Sequence, residues 1–189
     1  MGLDMYLTAK KYIGSNRWSE EGKKRGVLEI KAVDFNGNEM VIKHPENIKG
    51  LSFDVGYWRK ANQIHNWFVN NVQDGVDDCK EYYVSDEKLK ELLDIVNKIL
   101  EESKLVDGKV TNGKRLNADG EWENILEDGK NIENSSLAEK LLPCSEGFFF
   151  GGTEYDEYYI QDLEDTKKIL ETALSDEYKD MDFYYESSW

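Results

Sequence analysis

The segment Gly56–Val72, GYWRKANQIHNWFVNNV, gathers more chemically capable side chains than any other stretch of this sequence. Read as a helix from about Tyr57 to Val72, it puts Trp58, Asn62 and His65 at i, i+4 and i+7, which lie on one face. Arg59 and Lys60 fall in the first turn and Trp67 two residues beyond His65. A cation, an amide, an imidazole and flat indoles can hold a planar anion such as a nucleotide, by stacking and charge-assisted hydrogen bonds. A helix N-terminus also attracts anions, which suits Arg59 there. A second segment, FFFGGTEYDE, would close this pocket with Phe150, Thr153 and Tyr155. Gly151 and Gly152 let a backbone approach a ligand closely. The same residues also have a structural reading. Trp58 and Trp67 cap the edge of a core, His65 is a satisfied buried histidine, and Arg59 pairs with an acid elsewhere.

Other groups offer less. Cys79 and Cys144 stand far apart, in neither a metal-ligand nor a redox spacing, and without a local nucleophile signature. Asp77-Asp78 beside Cys79 lacks the three or four converging ligands that a transition metal needs, and no EF-hand or phosphate loop is present. Glu154, Asp156 and Glu157 could form an acid–base pair, but only their proximity suggests it. The expectation is therefore no metal, no cofactor and no catalytic set, with ligand contacts from Trp58, Arg59, Asn62, His65, Trp67, Phe150, Thr153 and Tyr155.

Composition bounds the partners. The 189 residues are 39% hydrophobic, 12% aromatic and 33% charged, which suffices for one core and is too aromatic for a disordered chain. The net charge is −15, distributed as +2 over residues 1–75 and −17 over 76–189. Such a chain repels phosphates, so direct binding to duplex nucleic acid is not expected. The acidic half is either a solvated surface or a face made for a basic protein. Without a signal-peptide run or an apolar stretch of ~20 residues, the sequence is read as a protein of the reducing cytoplasm, away from membranes.

The elements that must position these groups come from periodicity. Leu3, Met5, Leu7 and Ala9 alternate with polar neighbours, as in a half-buried strand. A loop is expected at 14–26, then a strand through Leu28, Ile30 and Ala32, a type I′ turn at Asn36-Gly37 and a returning strand at 40–43. A short strand is expected over Leu51–Val55. Tyr57, Ala61, Ile64, Phe68 and Val72 make the apolar stripe of the first helix. EYYV at 81–84 reads as a strand, and Ser85 caps a helix with Leu89, Leu92, Leu93, Val96 and Ile99 inside. Residues 103–134, broken by Gly and Asn, read as an irregular insertion with a small hairpin at Asn112-Gly113. A short helix spans Ser136–Leu142 and stops at Pro143. Phe148–Phe150 and Glu157–Ile160 are expected as strands. Asp162 caps a last helix whose inner face is Leu163, Thr166, Leu170 and Ala173. This order implies an α+β fold, with an antiparallel-rich sheet and three to four helices packed on it. Residues 1–175 would be one domain and 176–189 an acidic, aromatic tail, either a mobile peptide or an extra strand.

Three segments, GLDMYL, GYWRKANQIHNWFV and FFFGGTEYDEYY, together resemble a group of uncharacterised bacteriophage and prophage proteins. The resemblance supplies no activity. It implies a setting, the host cytoplasm, and a role as an accessory factor in host takeover or counter-defence. Three functions follow in order: a non-catalytic binder that sequesters a small anionic, nucleotide-like ligand; an acidic inhibitor that occupies the basic groove of a host protein as DNA mimics do; and a hydrolase using His65 with acidic residues. Oligomeric state is left open.

Overall fold

A computed structural model describes residues 2–12, 32–43, 48–118, 120–147 and 149–189. The strands are β1 (Asp4–Tyr12), β2 (Ala32–Val33), β3 (Glu39–Met40), β4 (Gly50–Arg59), β5 (Tyr82–Val84), β6 (Leu105–Leu116), β7 (Trp122–Ile132) and β8 (Asp182–Ser188). The helices are α1 (Asn62–Asn71), α2 (Asp86–Glu102), α3 (Ser136–Leu141) and α4 (Glu157–Ala173). The fold is α+β, as the order of elements implies. The expected loop at 14–26 and the strand through Leu28 and Ile30 lie outside the described residues.

Four strands form an antiparallel sheet in the order β4-β1-β8-β5. The alternation from Leu3 into β1 is realised: Leu3, Met5, Leu7 and Ala9 are fully enclosed. Phe183 and Tyr185 of β8, Trp58 of β4 and Val84 of β5 join them. Against this face pack Ile64 and Phe68 of α1, Leu89, Leu92, Val96 and Ile99 of α2, and Tyr159, Leu163, Leu170 and Ala173 of α4. Each of the Leu, Ile, Val and Phe side chains among them contributes about 1.5–3 kcal/mol on burial, which holds the helices to one side of the sheet. Ser85 caps α2 and accepts from the Lys88 amide, with Asp86 and Glu87 favourably placed in the first turn.

The structure departs from sequence expectation in several places. Residues 57–59 are strand rather than helix: Tyr57 pairs with Tyr6, Trp58 with Met5 and Arg59 with Asp4. Trp58 points inward and Tyr57 outward, the period of two, and the β-prone aromatics gain a full ladder with β1. Lys60 then adopts a left-handed conformation (φ 63°) that ends the strand, and α1 begins at Asn62. The turn between β2 and β3 is longer than a two-residue type I′ loop. The Asp34 carbonyl accepts from the Gly37 amide, and the Asp34 amide donates to the Asn38 carbonyl. Only Gly37 (φ 81°) is left-handed in this turn, where type I′ needs two such residues.

The expected insertion at 103–134 is instead one long hairpin, β6–β7, in register from Leu105↔Ile132 to Leu116↔Trp122. At its tip the Asn117 amide donates to the Glu121 carbonyl and the Gly120 amide to the Asn117 carbonyl, and Asn112-Gly113 is a bulge within β6. Phe149 and Phe150 are not strand residues; Phe149 is left-handed and exposed, and Phe150 is buried, while Phe148 lies outside the described residues. Glu157–Ile160 is the first turn of α4, whose N-cap is Asp156 and not Asp162. The Asp156 carboxylate accepts from the amides of Tyr158 and Tyr159. Residues 176–189 include β8, which lies between β1 and β5 inside the sheet.

Candidate functional site

The residues proposed from sequence divide into two groups. Trp58 is 3% exposed and its indole donates to Thr166 Oγ1 at 2.8 Å, which ties β4 to α4. Trp67 is buried edge-on against Phe68, with the Lys88 ammonium above it. His65 is 2% exposed and both ring nitrogens are engaged, Nδ1 with the Tyr185 hydroxyl at 2.8 Å and Nε2 with Asp77 Oδ2 at 3.0 Å. Asp77 in turn accepts from the Trp189 indole at 3.0 Å, and Tyr185 stacks flat on Phe68 at 3.9 Å. Phe150 fills the space between His65 and Trp189. This constellation anchors the C-terminal strand. For Trp58, His65 and Trp67 the structural reading holds, and none of them lines the cleft described below.

Asn62 is also enclosed, and it organises a loop. Its amide donates to the Gly152 carbonyl at 2.7 Å and the Phe150 carbonyl at 3.3 Å, while its Oδ1 accepts from the Ser145 amide at 2.8 Å. One side chain thus fastens both ends of the 145–152 loop to the start of α1. Gly151 (φ 104°) is needed there, because a Cβ would stand 2.7 Å from the Lys60 carbonyl oxygen. Tyr155 accepts from the Cys144 amide and packs on Tyr159. Thr153 is exposed, and its amide donates to the Glu154 carboxylate.

These ties shape a cleft of about 330 Å³ where β4, α1, the β6 bulge and the N-terminal turns of α4 meet. Arg59 and Lys60 line its β4 side, Gln63 and Asp162 its base, Thr111 and Asn112 the hairpin side, and Gly151, Gly152, Glu154 and Tyr158 its mouth. Neither Arg59 nor Lys60 has an ion pair among the described residues. Arg59 stands close enough to Tyr57 for its charge to oppose the upward push that Asp4 exerts on that phenol. The Asp162 carboxylate accepts from Gln63 Nε2 at 2.9 Å, yet burial pushes its pKa up to about 6, with Asp165 and Asp156 adding repulsion. Burial also raises Asp156 despite its two amide donors. The Cys144 thiol on the cleft wall is pushed up to about 12 by burial, so it stays protonated and inert as a nucleophile at neutral pH.

Of the sequence-proposed residues the cleft thus includes Arg59 on its wall, with Asn62 positioning its glycine mouth. Gln63, Tyr158 and Asp162 were not singled out for it, while Lys60 was expected only as a first-turn cation beside Arg59 and Glu154 only as half of an acid–base pair. Asp162 carried a misleading signal, since an aspartate immediately before Leu163 and the inward face it begins is an ordinary helix-cap pattern. Among the described residues no three His, Cys, Asp or Glu side chains converge as metal ligands. Asp78 is engaged by Lys80 and Tyr82. No helix among them is long and apolar enough to cross a membrane. Comparison with protein-family models, with curated proteins and with solved structures gave no match to this chain.

Proposed function

We propose that this protein is a non-catalytic binder of a small nucleotide-like ligand, taken in the cleft between β4, α1 and the start of α4. The observation that carries the reading is a pair of cations without salt bridges among the described residues, Arg59 and Lys60, beside a wall of carboxylates, all lining one cleft. A ligand with an anionic group toward Arg59 and Lys60 and amino donors toward Asp162 and Glu154 complements both. The volume is at the lower end for small-molecule sites, which favours a mononucleotide over a dinucleotide. Three acidic side chains in the wall disfavour a polyphosphate.

The resemblance to phage proteins supplies the setting. Sequestration of a nucleotide-type signal in the host cytoplasm is the corresponding accessory role. A hydrolase acting through His65 finds no support, because that ring is enclosed and bonded at both nitrogens.

The test is isothermal titration with nucleoside monophosphates, alongside native mass spectrometry of protein taken from host cells. Binding weakened at least tenfold in Arg59→Ala/Lys60→Ala, with an unchanged circular dichroism spectrum, is the expected result. Undiminished binding in that folded variant would remove this site.

A further inference from the structure

The sheet has a second face, opposite the helices, and it carries tyrosines. Tyr6, Tyr57 and Tyr83 are 42%, 50% and 57% exposed. Tyr57 lies opposite Tyr6 across β4 and β1, and their rings are 5.5 Å apart. Tyr83 lies opposite Tyr184 across β5 and β8, and those rings meet edge to face at 5.9 Å. The register fills the gaps between them with charge. Glu186 stands beside Tyr6, Asp54 and Tyr184 flank Thr8, and Asp182 lies beside Lys10. Lys10 is occupied, sitting over the Tyr184 ring and paired with Glu81. Asp54, Asp182 and Glu186 have no cationic partner among the described residues. The described helices all pack on the other face.

We infer that this face docks an arginine-bearing extended segment of another protein. Tyrosine is enriched where proteins recognise one another, because a large, nearly rigid ring gives contact area at little entropic cost. Guanidinium groups stack on such rings and pair bidentately with carboxylates, and the face alternates these two features along β1 and β8. Its net charge excludes a nucleic acid as the occupant. The span from Asp4 to Lys10 is roughly 20 Å at ~3.3 Å per residue, and the four strands cover about 15 Å at ~4.8 Å spacing. A patch of about 300 Å² is well below the ~800 Å² per partner of a stable globular complex, so a short segment fits it and a domain does not.

The test is fluorescence anisotropy of a dye-labelled (Arg-Ser)4 peptide with the whole protein, beside (Lys-Ser)4 and a single-stranded RNA of similar length. Two charge reversals are compared: Asp54→Lys/Glu186→Lys on the face and Asp94→Lys/Glu101→Lys on the exposed side of α2. Both change the net charge equally, so a diffuse field weakens binding equally in both. The expected result is at least a tenfold loss in the first and less than twofold in the second, with the Arg peptide several-fold tighter than the Lys peptide. A Tyr6→Ser/Tyr83→Ser variant, which keeps every charge, is expected to lose at least fivefold. Equal losses in the two reversals, no loss in the tyrosine variant, or tighter binding of the RNA would each overturn the inference. None of these variants alters the nucleotide cleft, so the two sites fail independently.

Discussion

Asp162→Asn is the substitution whose consequences are most sharply determined by the structure. The carboxyl ordinarily titrates at 3.8 and is pushed up to about 6 in the folded chain by burial. At ~1.36 kcal/mol per pH unit, holding it ionised costs the folded state about 3 kcal/mol at most. Its contact with solvent in the cleft reduces this to about 1–2 kcal/mol. The sign follows from proton counts. Between pH 4 and 6 the folded chain binds more protons at this site than the unfolded one, so this group's contribution to stability falls as pH rises and levels off above 6. Asparagine has the same shape, keeps an oxygen for the Gln63 amide and never ionises. Asp162→Asn is therefore expected to be more stable than wild type at pH 7 by ~1–2 kcal/mol, and equal to it at pH 4. For a chain of this length that corresponds to roughly 2–8 °C in Tm. Thermal unfolding of both proteins from pH 4 to 8 measures the difference. A difference independent of pH, or a less stable Asp162→Asn at pH 7, would refute the reasoning.

Two further outcomes follow from the buried network and the sheet. Tyr185→Phe keeps the stack on Phe68 but leaves His65 Nδ1 without its partner, and is expected to cost about 1–3 kcal/mol in urea unfolding; a change under about 0.5 kcal/mol would show that the bond contributes nothing. Removing residues 181–189 withdraws the strand between β1 and β5 together with Phe183 and Tyr185. Circular dichroism of that truncation is expected to show no cooperative unfolding, whereas a dispensable tail would leave the transition intact.

What could be read in advance was what local pattern alone decides. The strand at Leu3–Ala9 and the helix after Ser85 have one period each, and nothing distant had to choose between readings. The inner face of α4 was legible for the same reason, although its start was not. Asp156 and Asp162 are both acceptable caps, and the Asn131–Asp156 bridge and the Lys130–Glu157 contact to β7 accompany the earlier start. Residues 57–59 fitted a helical stripe and an alternating strand equally well. Pairing with β1 made the choice, and it moved Trp58 from a binding face into the core. In the hairpin β6–β7, glycines read as breakers serve close contact instead: a Cβ on Gly129 would meet Val110 and Glu157, and Gly108 lies opposite Gly129.

By itself the sequence determined the α+β class, the surplus of acid and most of the residues that form the core, because composition and short-range periodicity depend on neighbours along the chain. The cleft, the raised Asp162 and the tyrosine face were decided only by tertiary structure. Arg59, Asn112, Gly151 and Asp162 meet through strand register and loop closure, and burial and charge act across space between residues that no spacing along the chain connects.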